Sequence, residues 1–367
     1  MGKRFSVLLI AILFLFSFIS ITNGADPKKK VKVAFALLWT IHDMGWTTAH
    51  YRGIQYLKKQ LGDKIIVSYT ENVHADNGEQ VLRAYARKHY DIIFATTYEL
   101  MDPCLMVAKD FPNIKFEHCS GYKKAKNMGN YFARMYQADY LAGYMAGLMG
   151  FKNVGTVATQ PIPEPIRGIN AFTLGLIKGL KEAGHSFNPK KVNTIVWLKK
   201  WYDPINETVL AETLINRGHD LIRQMADTPD SSRTACYKKV PCIGYGTDVT
   251  KYGATCALVS TEWAWGPYYV ETVKSVINGT WKPREYWGGF DKSNVKLSPF
   301  HPSVPENVRK KVLKELEKLK RGEDNIFKGP IKNQKGEIVI PAGKKATDKD
   351  LLIMRWLVEG VAGKIPD

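Results

Sequence analysis

Short apolar runs alternate with amphipathic stretches along this chain, and part-way down the alternation begins again. VKVAFALL (31–38), KIIVSYTEN (64–72), DIIFATTYE (91–99) and IKFEHCSG (114–121) are separated by AHYRGIQYLKKQL (49–61), GEQVLRAYARKHY (78–90) and DPCLMVAKDFP (102–112). A βαβαβαβ series of this kind predicts a parallel, doubly wound α/β sheet. The near-continuous apolarity of the strands is what a sheet covered by helices on both faces requires. NVGTVATQ (153–160) then starts a second series, with KVNTIVWLKKW (191–201), LIRQMAD (221–227), VPCIGYGTD (240–248) and TCALVSTEW (255–263) as strands. The helices between them are RGINAFTLGLIKGLKEAG (167–184) and ETVLAETLINRGHD (207–220). GNYFARMYQADYLAGYMAGLMG (129–150) reads as a crossing strand and a linking helix, whose Ala142, Gly143, Ala146 and Gly147 suit close helix packing. A charged helix (305–323) and a hairpin-like stretch (332–343) follow.

The first residues read differently. Lys3 and Arg4 precede a run of 16 apolar or small residues (6–21) and then TNGAD. That order predicts a secretory signal cleaved near Gly24 or Ala25, and the run is short for a bilayer span of about 20 residues. The first cysteine is Cys104, so no lipid-anchored cysteine follows the cleavage site. The expectation is an exported protein, free in a periplasmic or extracellular space and not embedded in a membrane. An oxidising compartment permits disulfides. Five cysteines leave at least one unpaired, and their pairing stays open. Neither cysteines nor histidines have metal-ligand spacing, and no cofactor is expected. The formal charge of +18 becomes +16 without Lys3 and Arg4. Its lysines lie in scattered short runs with no nucleic-acid-binding motif, which argues for a solvated surface and against nucleic acid.

In open parallel sheets ligands bind beyond the carboxyl ends of the strands. Those ends carry the unusual residues here: Asp43 and Trp46 after the first strand, Tyr98 and Asp102 after the third, then Glu164, Trp201, Asp248 and Trp263 in the second series. Asp102 and Asp203 each precede a proline and can equally cap helices. Trp281 and Trp287 read as packing residues. Trp46 and Trp201 each sit between a strand and a helix, one per half, where two rings facing across a cleft can sandwich a flat heterocycle. An ionised carboxylate only accepts hydrogen bonds, so it selects a donor-rich guest and repels phosphate. No P-loop or GxGxxG follows any strand. A planar, neutral or cationic guest is expected.

HDMGW, FATTYELMDP, IKFEHCSGY, ARMYQADYLAG, PIPEPIRGINAFTLG, WYDP, GYGTDVTKYG, EWAWGPYY, NGTWKP and FKGPIKNQKGE together resemble the basic membrane protein family of ABC-transporter substrate-binding proteins, which includes PnrA-like purine nucleoside receptors. The resemblance covers nearly the whole chain beyond the leader. It implies a type I periplasmic-binding-protein fold with two hinged lobes, residues 31–133 with about 264–295, and 134–263 with about 296–367 including a C-terminal extension. It implies an ABC permease as partner and a monomer. It also implies that Trp46 and Trp201 stack on a purine, that Asp102 reads the base edge and that Asp248 contacts a ribose. Two departures bear on the guest. Tryptophan stands at both stacking positions where phenylalanine is usual, and Glu262-Trp263-Ala264-Trp265 stands where nucleoside receptors carry a lysine. An apolar wall there favours a free nucleobase such as adenine, with a nucleoside next. The competing readings are a ligand-sensing receptor for signalling with the same clamp, and a secreted nucleoside hydrolase, for which no catalytic motif is present.

Overall fold

The computed structural model describes residues 30–366; the expected signal segment lies outside them. The first half runs β1 (Val31–Ala36), α1 (Trp46–Leu61), β2 (Ile65–Thr70), α2 (Ala75–Arg87), β3 (Ile92–Ala95), α3 (Met101–Asp110), β4 (Lys115–Cys119) and β5 (Met128–Ala133). Helix α4 (Met135–Leu148) leads to β6 (Val154–Ala158), α5 (Pro163–Glu182), β7 (Asn193–Trp197), α6 (Pro204–Asn216), β8 (Leu221–Gln224), α7 (Asp230–Tyr237), β9 (Cys242–Gly246) and β10 (Ala257–Trp263). The chain then returns through α8 (Gly266–Ile277) and β11 (Glu285–Gly288), and crosses again to β12 (Val295–Leu297) and α9 (Glu306–Lys320). The last segments are β13 (Ile331–Lys332), β14 (Ile338–Ile340), α10 (Asp348–Leu352) and β15 (Val361–Ala362).

The strands form two sheets, ordered β11-β5-β4-β3-β1-β2 and β12-β10-β9-β8-β6-β7-β15, beside a small β13-β14 hairpin. Every pairing in the first sheet is parallel; in the second only β10 with β12 is antiparallel. Both sheets share one doubly wound order, in which the chain steps outward from β1 to β2, or β6 to β7, and then reverses. The crevices at β1/β3 and β6/β8 are the switch points where such sheets bind ligands. The expected α/β class and tandem arrangement are therefore present. The antiparallel β12, at an edge, arises because the chain enters it directly from β11 of the other sheet, through residues 289–294.

Covered sheets need strands that are apolar on both faces, and Val33 to Ala36 of β1 are fully buried accordingly. Helix α4 is buried all round, with small residues on the side that meets α5. A Cβ on Gly143 would come within 2.1 Å of the Phe172 carbonyl oxygen of α5. The two backbones touch there, so no side chain fits without separating the helices. Among the cysteines, Cys236 and Cys256 form a disulfide while Cys104, Cys119 and Cys242 are buried thiols. Gly143→Ala should destabilise the fold by about 1–3 kcal/mol, as overpacking does. The check is a lower denaturant midpoint with an unchanged slope.

Candidate functional site between the two sheets

The carboxyl ends of the two sheets meet along a seam, and the β1–α1 turn is its centre on one side. Asp43 accepts hydrogen bonds from the backbone N–H groups of Gly45 (3.0 Å), Thr47 (2.7 Å) and Thr48 (2.8 Å). The first N–H groups of a helix have no partner within it, and this carboxylate supplies one. Gly45 then meets the other half of the molecule: a Cβ there would lie 2.0 Å from the carbonyl oxygen of Asp227. Only glycine lets the two backbones approach so closely. Trp46 opens α1, half-buried, with its indole N–H donating to the Thr96 carbonyl at 2.9 Å.

The Trp46 ring stands edge-on to Trp263 (centroids 5.4 Å apart, 83° between planes) and to Trp265 (5.5 Å, 74°). Trp263 stacks on Trp265 (5.2 Å, 11°), and Trp265 on His50 (4.8 Å, 4°). His50 in turn bonds the Tyr269 hydroxyl at 2.5 Å. Burial holds the His50 pKa well below its usual value, so the imidazole is a neutral member of an aromatic column. The indole N–H groups of Trp263 and Trp265 are buried without hydrogen-bond partners.

Carboxylates gather on the opposite side. Asp227 follows β8 at the switch point and is 6% exposed. Its N–H donates to the Trp201 carbonyl at 2.9 Å, but its carboxylate has no hydrogen bond or ion pair among the described residues. Burial pushes its pKa well above the usual range, and the neighbouring Asp43, Glu207 and Glu164 push further in the same direction. Glu164, at the start of α5, accepts from the Tyr245 hydroxyl at 3.1 Å; burial raises it to about 7. Tyr245 stands edge-on to Trp263 at 6.0 Å. Glu207 accepts from the Thr228 and Ser231 hydroxyls, and burial raises it to about 8. The arrangement is an aromatic wall facing acids, one of them without a donor.

Further contacts cross the seam. The Thr247 hydroxyl donates to the Met44 carbonyl at 2.5 Å. Arg52 of α1 donates to the Tyr252 hydroxyl at 2.9 Å and pairs with Glu262 at 3.5 Å. Trp39 lies 6.1 Å from Tyr202. The halves are closed on each other.

Of the residues expected at the site, the seam holds Asp43, Trp46, Glu164 and Trp263; Trp201 reaches it through its carbonyl, and no ring contact among the described residues places its indole. The oxygens of Asp43 serve its own helix and shape the loop. Trp263 is a layer of the buried column, with one face occupied by Trp265. No bond or ring contact joins Tyr98 or Asp102 to this group among the described residues. Tyr98 is 54% exposed, and the Asp102 carboxylate, 63% exposed, pairs with Lys123. Asp248 is buried, but it caps the turn after β9, accepting from Thr250 N–H (3.3 Å) and Oγ1 (2.6 Å). Its neighbour Thr247 makes the cross-seam bond instead. Asp203 caps α6, as one sequence reading had it. Sequence reasoning missed Asp227, which looked like the last residue of a strand; the Asp-Thr-Pro-Asp that follows β8 was the available signal.

The sequence pattern described as ABC transporter substrate-binding protein PnrA-like matches residues 30–340. The chain belongs to this family. It is 37% identical over 346 residues, 94% of this chain and 96% of the other, to a purine-binding protein of Brucella abortus (strain 2308). It is 32% identical over 349 residues, 94% and 84% of the two chains, to a putative ABC transporter glucose-binding protein of Haloferax volcanii. A solved solute-binding protein from Conexibacter woesei superposes with a TM-score of 0.65 at 22% identity, over 81% of this chain and 100% of that one. The fold is that of type I periplasmic binding proteins. Family members are extracytoplasmic receptors that deliver a small molecule to a membrane permease, and they are not enzymes. No helix among the described residues is long and apolar enough to cross a membrane.

Gly45→Ala should leave each half folded while preventing the seam from shutting. Thermal unfolding close to wild type, with ligand binding weakened more than about tenfold, roughly 1.4 kcal/mol, is the expected result. Wild-type affinity would mean that binding does not need this closure.

Proposed function

We propose that this receptor captures a purine, with the free base adenine preferred over a nucleoside, and presents it to an ABC permease in the closed form. The closing units are residues 31–133 with about 264–295, and 134–263 with about 296–367. Trp46 supplies one ring from the first unit and Trp201 the other from the second. The reading is supported by the half-buried Trp46 ring, which follows directly on Gly45, where the backbone lies against that of Asp227, and by an Asp227 carboxylate with no hydrogen bond among the described residues. A flat, N–H-bearing heterocycle satisfies both, and a phosphate satisfies neither. The Brucella abortus relative named for purine binding supports the same class. An apolar column of Trp263 and Trp265 offers no ribose hydroxyl a partner beyond two indole N–H donors, which favours the base over the nucleoside.

A sugar is the second reading, favoured by the name of the Haloferax volcanii relative. Native mass spectrometry of the purified protein, followed by titration calorimetry with adenine, adenosine, hypoxanthine and glucose, separates the two. Adenine is expected to bind most tightly; glucose binding with no purine binding would overturn the proposal. Trp46→Ala or Trp201→Ala should weaken adenine binding by about 1–3 kcal/mol, the worth of one base–aromatic stack, without lowering the melting temperature of the ligand-free protein much.

A further inference from the structure

Three sulfurs from separate segments meet at the edge of the second sheet opposite the seam. Cys236 lies in the last turn of α7, Cys242 opens β9, and Cys256 directly precedes β10. Strand β9 runs about 13 Å from Cys242 to Gly246 at the seam, so this edge is remote from the candidate ligand site. Cys236 and Cys256 form the disulfide. The fully buried Cys242 thiol sits 3.9 Å from the Cys236 sulfur and 3.8 Å from the Cys256 sulfur. Separations of 6 and 14 residues along the chain match no metal motif; the fold alone assembles the group. A disulfide needs no third sulfur, and exchange does not account for this one. A thiolate attacks along the sulfur–sulfur axis, whereas Cys242 stands broadside, nearly equidistant from both ends. Burial also pushes its thiol up to about 12, so thiolate is scarce.

We propose that Cys236, Cys242 and Cys256 form a redox-gated site for one trivalent thiophilic ion of the arsenite class, masked by the disulfide and opened by its reduction. The three sulfurs lie within 4.8 Å of one another. With bonds of about 2.3 Å, three sulfurs around one atom stand about 3.5–4 Å apart, the spacing Cys242 already keeps from the other two. Thiolates select soft ions. No other thiol, imidazole or carboxylate joins the group among the described residues, so it offers three ligands, too few for a closed tetrahedral zinc site. Charge selects the valence. Three thiolates cancel three positive charges, whereas a mono- or divalent ion leaves a net negative charge on a largely buried group. The Cys256 N–H donates to the Cys236 sulfur at 3.1 Å and orients that ligand. Entry is past Cys236 and Cys256, which are only part-buried. Opening moves two electrons: a dithiol or phosphine is oxidised, the Cys236–Cys256 bond breaks, and each sulfur takes a proton. Capture involves no further redox change. Each thiol passes its proton to one hydroxyl of As(OH)3, three As–S bonds replace three As–O bonds, and three waters leave.

The test uses the purified protein with arsenite as the probe, before and after treatment with a phosphine, which does not chelate arsenite as a dithiol does. Reduced wild type should take up one arsenic, with three sulfur neighbours by X-ray absorption and no hydroxyl retained in the adduct mass. The oxidised protein should take up none. It is also the control for Cys104 and Cys119, thiols of the first half that are free in both states. Cys242→Ala keeps the disulfide pair. After reduction it should bind arsenite at least about tenfold more weakly, with two sulfur neighbours and one retained hydroxyl. Where reduction alone loosens the fold, bound arsenic should raise the melting temperature of reduced wild type toward the oxidised value, and that of reduced Cys242→Ala less. Uptake by the oxidised protein, no uptake after reduction, or an unchanged affinity and sulfur count in Cys242→Ala would overturn the proposal.

Discussion

The close approach of two backbones, Gly45 and Asp227, decides how the two halves of this molecule meet. Much of the surrounding structure serves to place Asp227 there. The order of each sheet creates the switch points. The helix-capping Asp43 holds the β1–α1 turn in the shape that offers Gly45, and Gly45 admits the Asp227 backbone. Four acids converge there without a paired cation on the one that matters. A structural core would not tolerate the arrangement. A binding cleft can, because its missing donor arrives with the guest.

The aromatic column explains how the same cleft stays rigid around a thin ligand. Trp263, Trp265 and His50 stack in sequence, Trp46 stands edge-on to the two indoles, and Phe132 is tilted against them. The Trp46 indole is also tied to Thr96. Its ring is thus positioned from two sides before any ligand enters, so little side-chain entropy remains to be lost on binding.

Much of this was legible from the sequence. The strand and helix alternation revealed both sheets, and the rule about carboxyl ends pointed to the β1–α1 turn that meets Asp227 of the other half. Trp46 could be singled out because a large ring at the junction of a strand and a helix is unneeded for the connection itself. The acids could not be sorted in the same way. Whether an aspartate is spare depends on which donors the fold brings to it. Those of Asp43 come from the next five residues, but the carboxylate of Asp102 meets a lysine 21 residues on, and the acids around Asp227 come from three distant segments. Local spacing carries the first kind of information and almost none of the second. The Cys236–Cys256 pairing was hidden for the same reason.

The connections between the halves extend the argument from the cleft to its motion. Arg134 is the one residue between β5 and α4; its N–H donates to the Gly288 carbonyl of β11 at 2.8 Å, and its guanidinium lies 4.1 Å over the Trp287 ring. It also grips Asp348 of the C-terminal extension with two bonds, at 2.8 and 2.6 Å. Gln137, in the first turn of α4, accepts from the Phe290 N–H at 2.9 Å. Asn294 joins the other two crossings, its carbonyl accepting from Ala264 N–H at 2.9 Å. All three crossings are thereby fastened side by side, so relative movement of the sheets must be a bend of this bundle rather than a sliding of one half past the other. The middle crossing, Ala264-Trp265, continues directly from Trp263. A bend there would turn the aromatic column with it, because the column and the crossing are one continuous stretch of chain.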